Sequence, residues 1–239
     1  MVTQNHGEFV YVGDAAIENY RITLSEAESH HLTRVRRARV GEKVMATDGR
    51  GNAYLCNLLN SDTLEIVESH IEFAEPKIQI TLICGCLQGD TSRDVVSSAV
   101  QLGARSLWWV KMARSQEQYT ANKIEKLERV AIQSTKQTGR ARLIEQVYFK
   151  SLQDALTQVA NSCLWVAYPE RSPESKLYEV DNASPHSIIV GPEGGFDVRE
   201  LELLKLANVR FVRLGSRRLR SETAAATGLM YLLTQGNDL

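Results

Sequence analysis

Residues 214–226 read LGSRRLRSETAAA, which sets one glycine, three arginines (Arg217, Arg218, Arg220), a carboxylate (Glu222) and two hydroxyls (Ser221, Thr223) ahead of an alanine-rich stretch. Guanidinium groups at that density attract or stabilise negative charge, and a carboxylate among them can accept a proton or orient a donor. Ser221 or Thr223 can cap the helix that the alanines predict, and Glu222 near its start is favoured by the helix dipole. Capping does not explain three arginines within four residues. A second stretch, Gly191-Pro192-Glu193-Gly194-Gly195, follows the apolar run Ile188-Ile189-Val190. It has neither the GxGxxG order of a dinucleotide turn nor the GK[ST] ending of a phosphate loop, so a phosphate cradle is not indicated. A plain strand-to-helix turn explains it as well as a ligand loop does.

Two strands must position these loops. Ile188–Val190 leads into the glycine stretch, a helix capped by Asp197 with Glu200 follows, and Phe211–Leu214 leads into the arginine stretch. Sites in open parallel sheets lie beyond the carboxyl ends of strands, so two loops at the same end of two parallel strands make a pocket. The chain upstream supports a parallel sheet. After Pro76 the pattern alternates: strand Ile78–Cys84, loop Gly85 to Asp90, helix Arg93–Leu102 with Val95, Val96, Ala99 and Val100 on helical spacing, strand Leu107–Val110. Asn122 with Glu125 is expected to cap a helix carrying Ile124, Leu127 and Ala131 and ending near Gly139. Ser151 with Asp154 starts another, followed by strand Cys163–Tyr168 and a surface loop over Glu170 to Pro185. The expected class is α/β with a mainly parallel sheet covered on both faces.

The first seventy-odd residues are different. Glu8–Val12, Tyr20–Leu24, Lys43–Thr47, Ala53–Leu58 and Leu64–Val67 read as short strands, with turns at Asp48-Gly49 and Asn60-Ser61-Asp62 and one helix opened by Ser25 with Glu28 as a capping box. Strands at this spacing suggest a small β-barrel, with the junction at Glu75-Pro76. The domains expected are therefore 1–75 and 76–239. Of the chain's 28 Lys+Arg and 29 Asp+Glu, 7 and 12 fall in 1–75, leaving 21 and 17 for the rest. Inside the acidic part Arg34, Arg36, Arg37 and Arg39 form a basic cluster that fits a nucleic-acid backbone or, equally, a solvated helix face. Cys56, Cys84, Cys86 and Cys163 make no CxxC pair and no metal spacing, so reduced, mostly buried thiols and no metal are expected. No basic start with an apolar h-region and no run of about 18 apolar residues is present, which points to a cytoplasmic protein.

GPEGG after an apolar strand, followed by LG-S-R-R-L-R-S-E-T-A before the last helix, resembles the small-subunit (16S) ribosomal RNA uridine-N3 methyltransferases of the SPOUT superfamily. The likeness spans nearly the whole chain: His30-His31-Leu32 with Val35 and Arg37 is similar to that family's HHLxxVLR element, and Gln137, Gly139 and Arg140 to its QxGR element. The resemblance implies a PUA-like β-barrel followed by an α/β domain with a deep trefoil knot, S-adenosylmethionine as methyl donor, and a homodimer with the cofactor pocket at its interface. It implies ribosomal RNA or the small ribosomal subunit as the partner, and neither membrane nor metal.

Methyl transfer to uridine N3 must remove a poorly acidic proton or stabilise the anion left behind, and the expectation is that Arg220 stabilises the uracil anion and that Glu222 orients groups or accepts the N3 proton. The resemblance places the cofactor among Tyr168, Ile189, Gly191, Pro192, Glu193, Gly194, Gly195, Leu214, Gly215, Leu219, Ser221, Thr223 and Ala224. RNA would meet Arg34, Arg36, Arg37, Arg39, Arg140, Arg217 and Arg218. The donor's sulfonium is itself a cation, and like charges about 4 Å apart repel by roughly 4 kcal/mol at an effective dielectric of 20. Arg217 and Arg218 are therefore expected to face RNA or a partner subunit. Glu193 pairs with that partner, ties loop amides or is a solvated loop carboxylate. The chain departs from the family pattern at Gln88, Gln101, Gln133, Lys136 and Arg218, which bears on target and partner more than on cofactor. Another SPOUT methyltransferase, acting on a ribose 2′-oxygen or on transfer RNA, and a non-catalytic RNA-binding relative are the alternatives.

Overall fold

The computed structural model describes residues 9–13, 15, 17–159, 161–169, 180–181 and 183–238. These fall into two compact units: Met1–Glu75 with Ala131–Leu143, and Pro76–Val130 with Ile144–Leu239. Residues 131–143 thus return to the first unit across the position read as the only junction.

The first unit is built on a six-stranded sheet of β1 (Val10–Tyr11), β2 (Ile17–Glu18), β3 (Arg21–Thr23), β4 (Lys43–Thr47), β5 (Asn52–Leu58) and β6 (Thr63–Ile71), in the order β1-β4-β5-β6-β3-β2. All pairings but β1 with β4 are antiparallel. Five of these strands send Val10, Ile22, Val44, Ala46, Cys56, Leu58 and Leu64 into one core with Leu32, which a sheet does only when it curls around that core. β2 is a two-residue strand that the sequence pattern does not reveal, and Glu8 of the expected first strand lies outside the described residues. Ser25 does cap α1 (Glu26–His30), its hydroxyl accepting from the Glu28 amide at 3.3 Å. The other half of the expected capping box is missing, because the Glu28 carboxylate accepts both contacts from Lys136 Nζ, at 2.8 and 3.0 Å. That ion pair supplies a reason for Lys136 inside the first unit. From His31 to Val35 the chain winds one π-helical turn before the basic cluster.

Residues 131–143 belong to this unit through paired main chain. The Phe9 amide donates to the Lys136 carbonyl, the Thr47 hydroxyl and Gly51 amide donate to the Ala141 carbonyl, and the Leu143 amide donates to Gly49. Arg140, expected to meet RNA, is instead enclosed in this unit. Its guanidinium is 3% exposed and donates through Nε and Nη2 to both oxygens of Glu75 at 2.8 to 3.0 Å. A fork closed on a buried carboxylate cannot reach a phosphate.

The second unit holds an all-parallel sheet of β7 (Ile80–Gly85), β8 (Ser106–Val110), β9 (Glu145–Phe149), β10 (Cys163–Ala167), β11 (His186–Val190) and β12 (Arg210–Val212), in the order β12-β10-β11-β7-β8-β9. β11, with every residue buried, runs between β10 and β7, which is why it reads as an unbroken apolar run. The connecting helices are α2 (Thr91–Gln101), α3 (Ala121–Thr138), which from Ala131 on belongs to the first unit, α4 (Leu152–Gln158), α5 (Val198–Leu206) and α6 (Ser221–Gln235). Asp197 and Glu200 form the full capping box of α5, and Ser151 caps α4 as expected. α3 starts earlier than Asn122 suggests: Thr120 is its cap, the hydroxyl accepting from Lys123 and the carbonyl from Ile124. Its end fits Gly139, whose φ of +69° is the left-handed conformation a helix stop favours. α6 lies close on β11, since a Cβ at Gly228 would stand 2.5 Å from Ile188 Cδ1. Strand β9 is absent from the sequence reading. The loop expected over 170–185 has residues 170–179 and 182 outside the described set.

Candidate functional site

Because β10, β11 and β12 are mutually parallel, their carboxyl ends share one edge, and the expected pocket forms there. It is a cleft of about 1010 Å³ whose wall also takes in residues beyond the ends of β7 and β8.

The glycine loop is its floor. Gly195 closes a turn by donating its amide to the Pro192 carbonyl at 2.8 Å, and its φ of +71° demands glycine although a Cβ there would meet nothing within 4 Å. Close approach is the requirement at Gly194, where a Cβ would stand 2.8 Å from Arg114 Cβ. Pro192 leans on the end of β7, leaving no room for a Cβ at Gly85. Glu193 Oε1 accepts the Gln88 amide at 2.9 Å, so the carboxylate ties a loop amide of its own chain. Two arginines hold the loop's carbonyls, Arg114 Nη1 donating to Gly194 at 3.0 Å and Arg218 Nη2 to Glu193 at 3.2 Å. Arg218, expected to point outward, thus turns part of its fork inward.

The arginine loop forms the facing wall. Ser221 is the first residue of α6 rather than its cap; Arg220 takes the cap position with extended backbone, and the Ser221 hydroxyl donates to the Gly191 carbonyl at 2.9 Å. Arg217, Arg220 and Glu222 line the cleft, and among the described residues none has a side-chain hydrogen bond or ion pair. The Tyr168 amide donates to the Val212 carbonyl at 3.0 Å, placing its side chain at the rim with its ring edge-on to Phe211.

Of the residues expected at a cofactor, Tyr168, Gly191, Pro192, Glu193, Gly194, Gly195, Leu214, Gly215, Leu219, Ser221 and Ala224 line this cleft. Two do not. Ile189 is fully buried in the core with Val166 and Leu204, because strand alternation turns it away, and Thr223 lies exposed on α6 off the cleft. Gln88, Gly89, Thr91, Arg114, Ala167, Pro169, Val190 and Phe196 also line it. The rule that sites follow strand ends, applied to β7 and β8 as well, would have found the first four.

The nearby thiols carry no chemistry. Burial, then the charges of Cys86, Glu193 and Glu222, pushes the Cys84 thiol far up, and burial pushes Cys86 up to about 12 against the opposing pull of Lys111. Neither forms the thiolate that a nucleophile needs near neutrality. In the first unit Arg34, Arg37 and Arg39 are exposed and Arg36 is half-buried. Among the described residues no group of His, Cys, Asp and Glu could hold a metal ion, and no helix is long and apolar enough to cross a membrane.

Residues 74–233 match the family model of an RNA methyltransferase domain, and residues 24–69 match that of an RNA methyltransferase PUA domain. The chain is 27% identical over 238 residues to the ribosomal RNA small subunit methyltransferase E of Rickettsia conorii, covering 95% of this chain and 96% of that protein. It is 30% identical over 219 residues to the protein of the same name from Aquifex aeolicus, covering 89% and 93%. In backbone path it is similar to the solved structure of a ribosomal RNA small subunit methyltransferase E from Neisseria gonorrhoeae bound to S-adenosyl methionine. There the TM-score is 0.86 at 22% identity, over 97% of this chain and 98% of that one. The fold is thus that of a SPOUT methyltransferase: a PUA-like β unit and an α/β unit on a parallel sheet.

Proposed function

The chain belongs to the SPOUT family of RNA methyltransferases represented by the ribosomal RNA small subunit methyltransferases E, and from that premise we propose that it methylates N3 of a uridine in small-subunit ribosomal RNA with S-adenosylmethionine. One observation carries the reading: a single cleft combines a wall rich in main-chain groups with an Arg220 guanidinium and a Glu222 carboxylate that no described residue engages. The names of the relatives support the small-subunit target, and the two loop motifs support N3.

The cleft fits the donor. Its volume is at the upper end of the few hundred to about 1,000 Å³ usual for small-molecule sites. Leu214, Leu219 and Ala224 offer apolar surface to an adenine, and the main chain of 191–195 and 214–215 runs along the same cleft, with the carbonyls of 191 to 194 already accepting from Ser221, Gly195, Arg218 and Arg114. Bound S-adenosylmethionine supplies an electrophilic methyl group on a positively charged sulfur.

The chain's own residues must deal with the proton on N3, which is poorly acidic at neutral pH. Glu222 accepts it, and Arg220 stabilises the negative charge left on the uracil oxygens. Arg114 and Arg218, each donating to a glycine-loop carbonyl, keep two further cations on the main chain, and Arg217 is left for RNA phosphate. The cluster Arg34, Arg36, Arg37 and Arg39 adds backbone affinity, and the target is a single-stranded or flipped uridine. In this reading the enzyme is a cytoplasmic homodimer whose second copy completes the cleft, with the trefoil knot at its C-terminal end.

The test is to incubate the purified protein and labelled S-adenosylmethionine with small ribosomal subunits, or their bare RNA, from cells lacking the protein, and to map methylated nucleosides by mass spectrometry. N3-methyluridine at one site is the expected product. A methyl group on ribose or on transfer RNA would replace the target, and calorimetry without cofactor binding would overturn the enzyme.

A further inference from the structure

Glu193 and Glu222 both line the cleft, but only Glu222 has a carboxylate that no described residue engages. The segment Leu87–Gly89, between β7 and α2, is held by side chains at three successive amides. Tyr119 Oη accepts from Leu87 at 3.0 Å, Glu193 Oε1 from Gln88 at 2.9 Å, and Glu117 Oε2 from Gly89 at 2.9 Å. Tyr119 and Glu117 come from the loop that follows β8, so Glu193 alone of the three joins this wall to the glycine loop. The glycine loop is itself fixed, with its carbonyls at 193 and 194 taken by Arg218 and Arg114.

We infer that Glu193 is a positioning residue: its carboxylate sets the width of the cleft by fastening the Gln88 peptide to the glycine loop, and takes no part in proton transfer. The inference deepens the methyltransferase reading and rests on it for the ligand used as probe. Gln88 is exposed, so water can replace the carboxylate as acceptor once it is gone. Losing this bond should therefore relax geometry far more than it lowers stability.

Three variants test it, Glu193→Ala, Glu193→Asp and Glu193→Gln, each measured by amide exchange at Gln88, calorimetry with S-adenosylmethionine and thermal denaturation. In E193A and E193D, Gln88 exchange should quicken and cofactor affinity should weaken, each by about tenfold, with the denaturation midpoint nearly unchanged. E193Q keeps an acceptor oxygen without the charge, and should restore both readouts to within about threefold of the parent. E193D serves as the second short variant should E193A not fold. Gln88 exchange unchanged in E193A or E193D would overturn the inference. So would an E193Q protein that protects Gln88 yet binds as poorly as E193A, since the charge would then act on the ligand. Failure of the parent protein to bind cofactor would instead refute the methyltransferase reading, and the exchange measurements would still decide the role of Glu193.

Discussion

The Ser221 hydroxyl donates to the Gly191 carbonyl across 30 residues of chain, at 2.9 Å, and so fastens the first residue of α6 to the first residue of the glycine loop. Both residues are buried. Ser221→Ala leaves that acceptor unpaired, which should lower stability by about 1–3 kcal/mol and weaken S-adenosylmethionine binding as the two loops separate. Urea denaturation and calorimetry on the variant check both. An unchanged midpoint would mean that the loops are joined by other contacts.

Arg220 and Glu222 flank Ser221 and should behave differently from it. Among the described residues neither side chain makes a hydrogen bond, so Arg220→Ala and Glu222→Gln should keep the parent denaturation midpoint and bind cofactor within about twofold. Turnover on ribosomal RNA should fall by about 100- to 1,000-fold for Arg220→Ala, the range seen when a donor to a developing anion is removed. Single-turnover kinetics at saturating cofactor separates this loss from weakened RNA binding.

Arg140 and the basic cluster give opposite expectations within the first unit. Arg140→Ala leaves the buried Glu75 carboxylate without its ion pair, holding only the Arg142 amide, and should cost roughly 3–5 kcal/mol, whereas replacing both partners by apolar residues of similar size should recover part of it. Calorimetric unfolding of the single and double variants tests this. Arg34→Gln or Arg37→Gln should leave unfolding unchanged and reduce the slope of log affinity for RNA against log salt by about 0.7 to 0.9 each. A filter-binding salt titration gives that slope.

What could be seen in the sequence was what is local. The capping box of Asp197 and Glu200 closes within four residues, the apolar run at β11 reports burial on both faces, and the strand-end rule puts two loops into one pocket. What could not be seen depends on partners far along the chain. Glu28 has the spacing of half a capping box, and Lys136, which takes its carboxylate, is 108 residues away. Arg140 looked like an RNA contact because nothing near it announces Glu75. Arg114 belongs to no motif; its contact with Gly194 spans 80 residues and exists only once β8 and β11 lie in one sheet. Two-residue β2 is too short to show a period.

Three buried acids in the second unit predict how its stability falls at alkaline pH. Burial raises Cys84 and Tyr119 far above their ordinary values and Cys86 to about 12, against about 8.5 for a free thiol and about 10 for a free phenol. Above pH of about 8.5 the unfolded chain releases thiol protons that the folded chain keeps, so the unfolded state binds fewer protons and stability decreases as pH rises. The slope approaches about 1.4 kcal/mol per pH unit for each thiol, and Tyr119 joins above pH of about 10. All three tryptophans, Trp108, Trp109 and Trp165, lie in this unit, so their fluorescence follows it without signal from Cys56 in the other. Urea midpoints read by tryptophan emission should be level from pH 7 to 8 and drop between pH 9 and 10. A Cys84→Ala, Cys86→Ala double variant should be less stable throughout but hold a level midpoint to about pH 9.5, where the phenols that burial raises, Tyr119, Tyr148 and Tyr231, begin to titrate in the unfolded chain. The same drop in the double variant would assign the pH dependence to groups other than these thiols.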